Sequence, residues 1–397
     1  MSYKLLTRLF LSLQFFLSSQ QVATETPFLL QLKPNPIKSM TSTIPNISHL
    51  SAHHVKRGGI PRERHTTFRG RGSLRGMIAV RSRLGSLGAA VLLGLGASYG
   101  ANAQTTAETN APALAPVPES APANLIPSSE IEMPPDVVTG KGGNVDLHAK
   151  IAYPRNPTGL LPAIINIHGG GWSHGKYDSF SCAKVARRGY FVASIEYRFT
   201  DVAKWPAQIQ DCKLGVRWLR ANAAKYHVDP NRIGVWGGSA GGQLVACLGT
   251  MADVKEYEGD GGYPGVSSAV QAVVDFFGPT DFTRTDPCSA LKRMEELIGV
   301  PYVQDPKAWK SASPLFYVKA GDPPTLIVHG LADKTVLPIQ SIEFDAALAK
   351  AGVEHQLVMV KNAQHGFKPL PGTTIDPSND QIDEMVYAFF AKHLQTP

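Results

Sequence analysis

The segment GVWGGSAGGQ, residues 234–243, places one serine among five glycines. The segment 232–238 before that serine predicts a strand, and the pattern of residues 240–251 after it predicts a helix. Ser239 therefore lies on a sharp strand-to-helix turn, where neighbours without side chains leave room for a strained backbone and an exposed hydroxyl. This arrangement indicates a nucleophile elbow and makes Ser239 the first candidate catalytic residue.

Two later segments contain the partners that a serine nucleophile needs. A serine hydroxyl needs a base, and the base needs a carboxylate that orients it. Asp333 follows the predicted strand 324–330, and His365 follows the predicted strand 354–360. Sites in open α/β sheets lie at the C-terminal ends of strands, and the chain order Ser, Asp, His is the one found with nucleophile elbows. We therefore predict a catalytic triad of Ser239, Asp333 and His365.

Other acids and histidines compete for these roles. Asp281, which lies just past the predicted strand 269–278, is the best rival for the acid. We prefer Asp333 because the strand predicted before it is stronger and the helix predicted after it is clear. His168 is expected to organise the glycine loop beside it, and His329, at the end of a buried strand, is expected to have a structural role.

The segment NIHGGGW, residues 166–172, follows the apolar run 162–168. A glycine-rich loop behind a buried strand binds phosphate in some proteins and an oxyanion in others. The phosphate alternative fails because the sequence has no G-x-x-x-x-G-K-[ST] motif and no G-x-G-x-x-G motif that opens a helix. We therefore predict an oxyanion hole built from backbone N–H groups. Its predicted donors are Gly170, Gly171 and Ala240.

Strand-like and helix-like segments alternate along the rest of the chain. Residues 145–153 alternate polar and apolar side chains and predict an antiparallel strand, and residues 190–197 predict a buried one. The alternation predicts an α/β fold of the α/β-hydrolase type, with a mostly parallel central sheet and helices on both faces. Further helices are predicted over 177–188, 205–226, 338–352 and 379–394.

Charge is distributed unevenly along the chain. The formal net charge is +7, but residues 1–103 carry 13 Lys and Arg against two acidic residues, so that they hold +11 and the remainder holds −4. The small negative charge of residues 104–397 gives no electrostatic basis for binding nucleic acid. We therefore expect no nucleic-acid partner.

The N-terminal region contains two segments that resemble targeting signals. Residues 77–103 combine Arg81 and Arg83 with a 14-residue apolar run and a small-residue cleavage site, which is typical of a secretory signal peptide. An apolar run of that length is too short to span a bilayer. We therefore expect a secreted or periplasmic protein with no stable membrane insertion after the signal is cleaved.

The domain boundaries follow from this signal. Because an export signal lies at the start of a nascent chain, we expect translation to begin at Met77 and residues 1–76 to be a mis-assigned extension. The alternative is that the basic and apolar segment that starts at Met1 is the signal peptide. Residues 104–134, rich in Ala and Pro, predict a linker, and residues 135–397 predict one catalytic domain.

The four cysteines, Cys182, Cys212, Cys247 and Cys288, have no C-x-x-C spacing, so the sequence supports neither a zinc site nor a redox motif. Export permits disulfides, but four cysteines allow three pairings and the sequence does not choose among them. Buried free thiols are the alternative. We expect no metal and no cofactor.

The motifs HGGGW, GGSAGG, HGLADKTV and QHGF together resemble the α/β-hydrolase esterases of the bifunctional feruloyl and acetylxylan esterase type, which are related to hormone-sensitive-lipase-like esterases. The resemblance spans residues 136–395. It implies a serine carboxylesterase that hydrolyses small acyl or aromatic acyl esters, with a carbohydrate ester or another small molecule as substrate. It also implies that Ser239 is the nucleophile, Asp333 the acid, His365 the base, and Gly170, Gly171 and Ala240 the oxyanion donors.

Two other functions remain open at this point. Arylformamidases and some serine peptidases have the same triad and a similar glycine loop, and activity on an aryl ester against an aryl formamide or a dipeptide separates them from an esterase. A non-catalytic binding module on the same fold is the second of these alternatives. Failure to react with a fluorophosphonate probe would favour that module.

The signal-peptide prediction is tested by intact mass and N-terminal sequencing of the exported protein. We expect a mature chain that starts at Gln104, because the cleavage site follows the small residues of Ala101-Asn102-Ala103. A mature start well before Gln104 would contradict the prediction.

Overall fold

The computed structural model describes residues 125–286 and 290–395. The predicted extension 1–76, the predicted signal peptide 77–103 and residues 104–124 of the predicted linker lie outside the described residues. Within the described ranges, no helix is both long enough and apolar enough to cross a membrane.

Nine strands in the described part of the chain form one sheet. They are β1 (Ile131–Glu132), β2 (Val137–Gly142), β3 (Val145–Pro154), β4 (Leu161–Ile167), β5 (Phe191–Ile195), β6 (Val228–Gly238), β7 (Ala272–Phe276), β8 (Thr325–Gly330) and β9 (His355–Val360). Their order is β1-β3-β5-β4-β6-β7-β8-β9, and β2 also pairs with β3. Strand β3 is antiparallel to β1, β2 and β5, whereas the strands from β5 through β4 to β9 are parallel. The predicted fold class is confirmed.

Seven α-helices connect these strands in the described ranges. They are α1 (Cys182–Ala186), α2 (Ala207–Ala221), α3 (Ala240–Thr250), α4 (Leu291–Ile298), α5 (Pro306–Ser311), α6 (Ile339–Ala351) and α7 (Asn379–Leu394). Short 3-10 turns lie at Ser128–Glu130, Tyr177–Ser179, Lys255–Tyr257, Pro314–Tyr317 and His365–Phe367. Helices α4 and α5 and strand β2 are elements that the sequence patterns did not predict.

The core has two layers, one on each face of the sheet. Successive side chains of a strand point to opposite faces, and β4 shows this directly. Its residues Ala163, Ile165 and Ile167 pack in a cluster with side chains of α2 and α3. Ile164 packs in a second cluster with side chains of α1 and α7. The sheet is therefore buried on both faces, which explains the continuous apolar run of this strand.

The helix predicted over 177–188 is wrong in its extent. The structure has a 3-10 turn at Tyr177–Ser179, followed by the five-residue helix α1. Phe180, between the two, has the extended backbone angles φ −78° and ψ 136°. Its ring packs edge-on against Trp236, with centroids 5.4 Å apart. The extended backbone at Phe180 therefore separates the 3-10 turn from α1 and interrupts the helix pattern.

Residues 125–134 were assigned to the linker, yet they hold regular contacts with the domain. Ile131 is buried and pairs with Pro154 in the sheet. The Ile126 N–H donates to the Arg187 carbonyl over 2.8 Å. Ordered structure therefore begins before residue 135, and the single apolar residues among prolines were too sparse to predict it.

Three cysteines lie in the described ranges, and all three are buried free thiols: Cys182, Cys212 and Cys247. Cys288 lies outside the described residues. Burial raises the pKa of the Cys182 thiol to about 11 and raises the pKa of the other two well above the usual value. All three are therefore weak nucleophiles.

Candidate active site

Ser239 lies on the turn between β6 and α3, as the sequence predicts. Its backbone has φ 57° and ψ −119°, which lies in the positive-φ region that residues with a side chain rarely adopt. Its N–H donates to the Phe276 carbonyl of β7 over 2.8 Å. A Cβ on Gly237 would overlap the Gly241 carbonyl, and a Cβ on Gly241 would overlap the Ile167 carbonyl. The glycines of the motif are therefore required by close backbone packing around the serine.

The structure brings together the three residues of the predicted triad. His365 Nε2 lies 2.9 Å from Ser239 Oγ, and His365 Nδ1 lies 2.7 Å from Asp333 Oδ2. An ionised carboxylate only accepts hydrogen bonds. Nδ1–H therefore donates to Asp333, which leaves Nε2 to accept from the Ser239 hydroxyl. This is the arrangement in which a histidine acts as a base toward a serine.

Asp333 is buried and ionised. Its Oδ1 accepts from the N–H groups of Thr335 (2.8 Å) and Val336 (3.1 Å), and its Oδ2 lies 3.5 Å from His329 Nε2. Burial raises the pKa of Asp333, but the hydrogen bonds from His329 and His365 outweigh it and lower the pKa to about 2. The carboxylate is thus charged at every pH at which the protein is expected to work.

The contacts of Asp281, the rival acid, and of His329, the histidine predicted to be structural, show what these two residues do. Asp281 Oδ1 accepts from the backbone N–H and the hydroxyl of Thr283, over 2.8 and 2.6 Å, so this rival acid serves a local turn. His329 is fully buried between Val336 O (3.0 Å) and Ser341 Oγ (2.7 Å). The partner of His365 is therefore Asp333.

The glycine loop behind β4 adopts backbone angles that exclude side chains. Gly170 and Gly171 have φ of 120° and 57°, and a Cβ on Gly170 would overlap the His174 carbonyl. His168 holds the start of this loop, because its Nδ1 lies 2.7 Å from the Gly169 carbonyl oxygen and its ring stacks on Tyr197.

Both predicted sources of oxyanion donors lie at the same end of the sheet. Gly170 and Gly171 line the cavity that also contains Ser239 and His365. Ala240 is the first residue of α3, so its N–H has no acceptor within the helix. The glycine loop and the N-terminus of α3 thus both lie beside the serine.

A buried hydrogen bond that the sequence patterns did not predict joins these two elements. Trp172, the last residue of the HGGGW segment, donates from Nε1 to Gln243 Oε1 over 3.0 Å. The amide of Gln243 also donates to the Ala312 carbonyl over 2.9 Å, and the side chain is fully buried. The sequence feature that could have indicated this bond is Gln243, a lone polar residue in the first turn of the otherwise apolar helix AGGQLVACLGT.

A cavity of about 350 Å³ opens above Ser239 and His365. Its walls include the glycine loop, Trp172, Pro279 and Val336. Such a volume falls in the range of roughly 300–1,000 Å³ typical of small-molecule sites. A second cavity of about 500 Å³ is lined mainly by residues 154–162 and contains none of the predicted site residues.

Within the described ranges, no group of three or more His, Cys, Asp or Glu residues is placed to hold a metal ion.

A family model matches the central part of the chain. The family model BD-FAE matches residues 149–348, which is half of the chain. The chain belongs to the BD-FAE family. This membership confirms the resemblance drawn from the motifs.

Curated and solved relatives of this BD-FAE chain are esterases by name. Esterase LipQ of Mycobacterium tuberculosis is 32% identical over 242 residues, which cover 58% of this chain and 56% of LipQ. The chain therefore spans little more than half the length of that relative. A solved structure titled a truncated form of a carbohydrate esterase from gut microbiota is 30% identical with a TM-score of 0.58, covering 70% of this chain and 99% of that one.

A third relative is esterase 2 of Thermogutta terrifontis, which is 30% identical with a TM-score of 0.55 and aligns over 67% of this chain and 93% of its own. Structures of that esterase are titled as propionate-bound and butyrate-bound. The names of these relatives support the prediction of an enzyme that acts on carboxylic esters.

The low pKa of Asp333 makes a prediction about stability. Because the folded pKa lies below the unfolded value of about 4, the carboxylate stabilises the fold above about pH 4, and this contribution is lost as the pH falls toward 2. The full contribution is about 2 kcal/mol. We expect Asp333→Asn to lose this pH dependence. The difference in unfolding free energy between wild type and variant should therefore decrease by about 1 kcal/mol when the pH falls from 6 to 3.

Urea unfolding at several pH values measures this gap. Ser239→Ala is the matched control, because it leaves both histidine contacts of Asp333 in place and should follow the wild-type pH dependence. If the unfolding free energies of wild type and Asp333→Asn change in parallel with pH across that range, the pKa of Asp333 is not lowered in the folded state.

Proposed function

We propose that the protein is a serine carboxylesterase in which Ser239, His365 and Asp333 act as nucleophile, base and acid. The observation that carries the proposal is the position of His365. Its two ring nitrogens lie 2.9 Å from the serine hydroxyl and 2.7 Å from the buried carboxylate. Membership of the BD-FAE family and the names of the relatives support the same class of reaction.

Acylation begins with the serine hydroxyl. Ser239 Oγ attacks the carbonyl carbon of the ester while His365 Nε2 takes the hydroxyl proton. The tetrahedral intermediate then breaks its bond to the alcohol oxygen, which takes the proton from His365 and leaves as a neutral alcohol. The acyl group remains on Ser239. Asp333 stays ionised throughout, holds the imidazole in one orientation and stabilises its protonated form.

Deacylation repeats these steps with water. A water molecule attacks the acyl carbon of the acyl-serine and gives a proton to His365. Collapse of the second tetrahedral intermediate releases the carboxylic acid and returns the proton to Ser239 Oγ. Every step uses groups of the chain, the ester and water.

The oxyanion of both intermediates needs donors that are already in place. We propose the N–H groups of Gly170, Gly171 and Ala240 for this role, because they come from the two elements beside the serine. The loss of one such donor typically costs about 3 kcal/mol of transition-state stabilisation. The hydrogen bond between Trp172 and Gln243 holds the loop against α3, so that donors from two elements stay fixed toward one point.

We propose small acyl and aromatic acyl esters of carbohydrates as substrates. The carbohydrate esterase from gut microbiota supports a sugar ester, and the propionate-bound and butyrate-bound esterase 2 supports a short acyl group. Trp172, Pro279 and Val336 supply apolar surface beside Ser239 for either kind of acyl chain. Export of the protein, proposed from residues 77–103, would bring it to plant or algal polysaccharides.

The proposed activity is tested by measuring acetate and ferulate release from acetylated and feruloylated xylan, together with hydrolysis of an aryl acetate. We expect Ser239→Ala to lower kcat by at least about 10³-fold, because the attacking oxygen is removed. Asp333→Asn should lower kcat by roughly 10⁴-fold, because the imidazole loses its orienting carboxylate. Asp281→Asn is the matched control and should keep most of the activity, because its carboxylate accepts hydrogen bonds from Thr283 and none from His365 among the described residues.

Three results would contradict parts of this proposal. Equal activity of wild type and Ser239→Ala would contradict the nucleophile. Loss of activity in Asp281→Asn, with activity kept in Asp333→Asn, would contradict the acid. Faster cleavage of an aryl formamide or a dipeptide than of the aryl acetate would move the reaction class from esterase to arylformamidase or peptidase.

A further inference from the structure

Among the described residues in the wall of the cavity above Ser239, one side chain is permanently charged. Arg293 of α4 lines this cavity, and none of the lining residues in the described ranges is Asp or Glu. The stem of Arg293 covers the glycine loop, because a Cβ built on Gly171 would lie 3.2 Å from Arg293 Cγ and 3.4 Å from its Cδ. Arg293 therefore belongs to the wall of the cavity in which an ester would meet Ser239.

Two contacts fix Arg293 while leaving most of its donors available. Its Nη1 donates to Glu296 Oε2 over 2.6 Å and to Ser173 Oγ over 3.2 Å. A guanidinium carries five N–H groups in a planar fork, and Nη1 accounts for two of them. The contacts among the described residues assign no acceptor to Nε or Nη2. The side chain is 45% exposed and lines the cavity, so a ligand in the cavity has access to it.

We propose that Arg293 forms an anion subsite at the mouth of the catalytic cavity, which binds a carboxylate carried by the ester substrate. The inference rests on the proposed esterase function and names its substrate class: esters that bear an acidic group, such as those of uronate-containing carbohydrates. Planar guanidinium groups bind carboxylates with two parallel hydrogen bonds. The three remaining N–H groups of Arg293 provide such a pair.

The neighbouring Glu296 limits the strength of this subsite. Its carboxylate already neutralises part of the guanidinium charge, and solvent screens an exposed pair. A moderate preference for acidic esters is therefore expected, and removal of the Glu296 charge should strengthen it.

The test compares kcat/KM for matched pairs of neutral and anionic esters. Phenyl acetate and 4-acetoxybenzoate place the carboxylate on the alcohol side, whereas 4-nitrophenyl hexanoate and 4-nitrophenyl hydrogen adipate place it on the acyl side. The measured quantity is the anionic-to-neutral ratio of each pair, compared between wild type and variant, so that the intrinsic reactivity of the esters cancels. The pair that responds identifies which side of the ester faces Arg293.

We expect Arg293→Gln to lower this ratio about fivefold for at least one pair, which is the order of magnitude of a half-exposed charge-assisted contact. Arg293→Lys should keep part of the preference, because it retains the charge and loses the fork. Glu296→Gln should raise the ratio. Added salt should lower it in wild type and have little effect in Arg293→Gln.

Arg155→Gln is the matched control, because Arg155 is also an exposed arginine in an ion pair, with Glu132, and it lines the other cavity. Its ratio should equal that of wild type. Ser239-dependent hydrolysis of the neutral esters with an unchanged ratio in Arg293→Gln would overturn the anion subsite alone. No Ser239-dependent hydrolysis of phenyl acetate or the hexanoate would overturn the proposed function, and the subsite with it.

Discussion

The site depends on one close backbone contact, between the end of β4 and the start of α3. The Ile167 carbonyl occupies the space that a Cβ on Gly241 would need. Ile167 is also paired in register with Gly237, so the two strands end at the same level of the sheet. The glycine loop that follows Ile167 and the serine that follows β6 are therefore forced to the same place. Any side chain at Gly241 would separate the predicted oxyanion loop from the nucleophile.

Asp333 and His365, the proposed acid and base, reach the serine through the same property of the sheet. Strands β8 and β9 are parallel neighbours that end in register at Gly330 and Val360, so the loops behind them emerge side by side. Asp333 lies on the first loop and His365 on the second. The buried carboxylate is costly to desolvate, and its two backbone donors and two histidine neighbours offset that cost. The His329 predicted to be structural thus also contributes to the charge state of Asp333.

The sequence was sufficient for the features that a local pattern encodes. Ser239 lies on an unmistakable strand–turn–helix pattern, and Asp333 and His365 each follow an apolar strand. Asp281 also follows a strand; the stronger strand before Asp333 and the helix after it favoured Asp333, and the contact with His365 agrees with that preference. The bond between Trp172 and Gln243 joins residues 71 positions apart, and no periodicity encodes such a pair. Arg293 lies on an eight-residue helix whose position over the glycine loop is a tertiary property.

If His365 activates Ser239 as the nucleophile, a fluorophosphonate should react with Ser239. Intact mass and peptide mapping should then show a single adduct on Ser239 in the wild type and no adduct in Ser239→Ala. An adduct on another residue, or a wild-type chain that does not react at all, would contradict it.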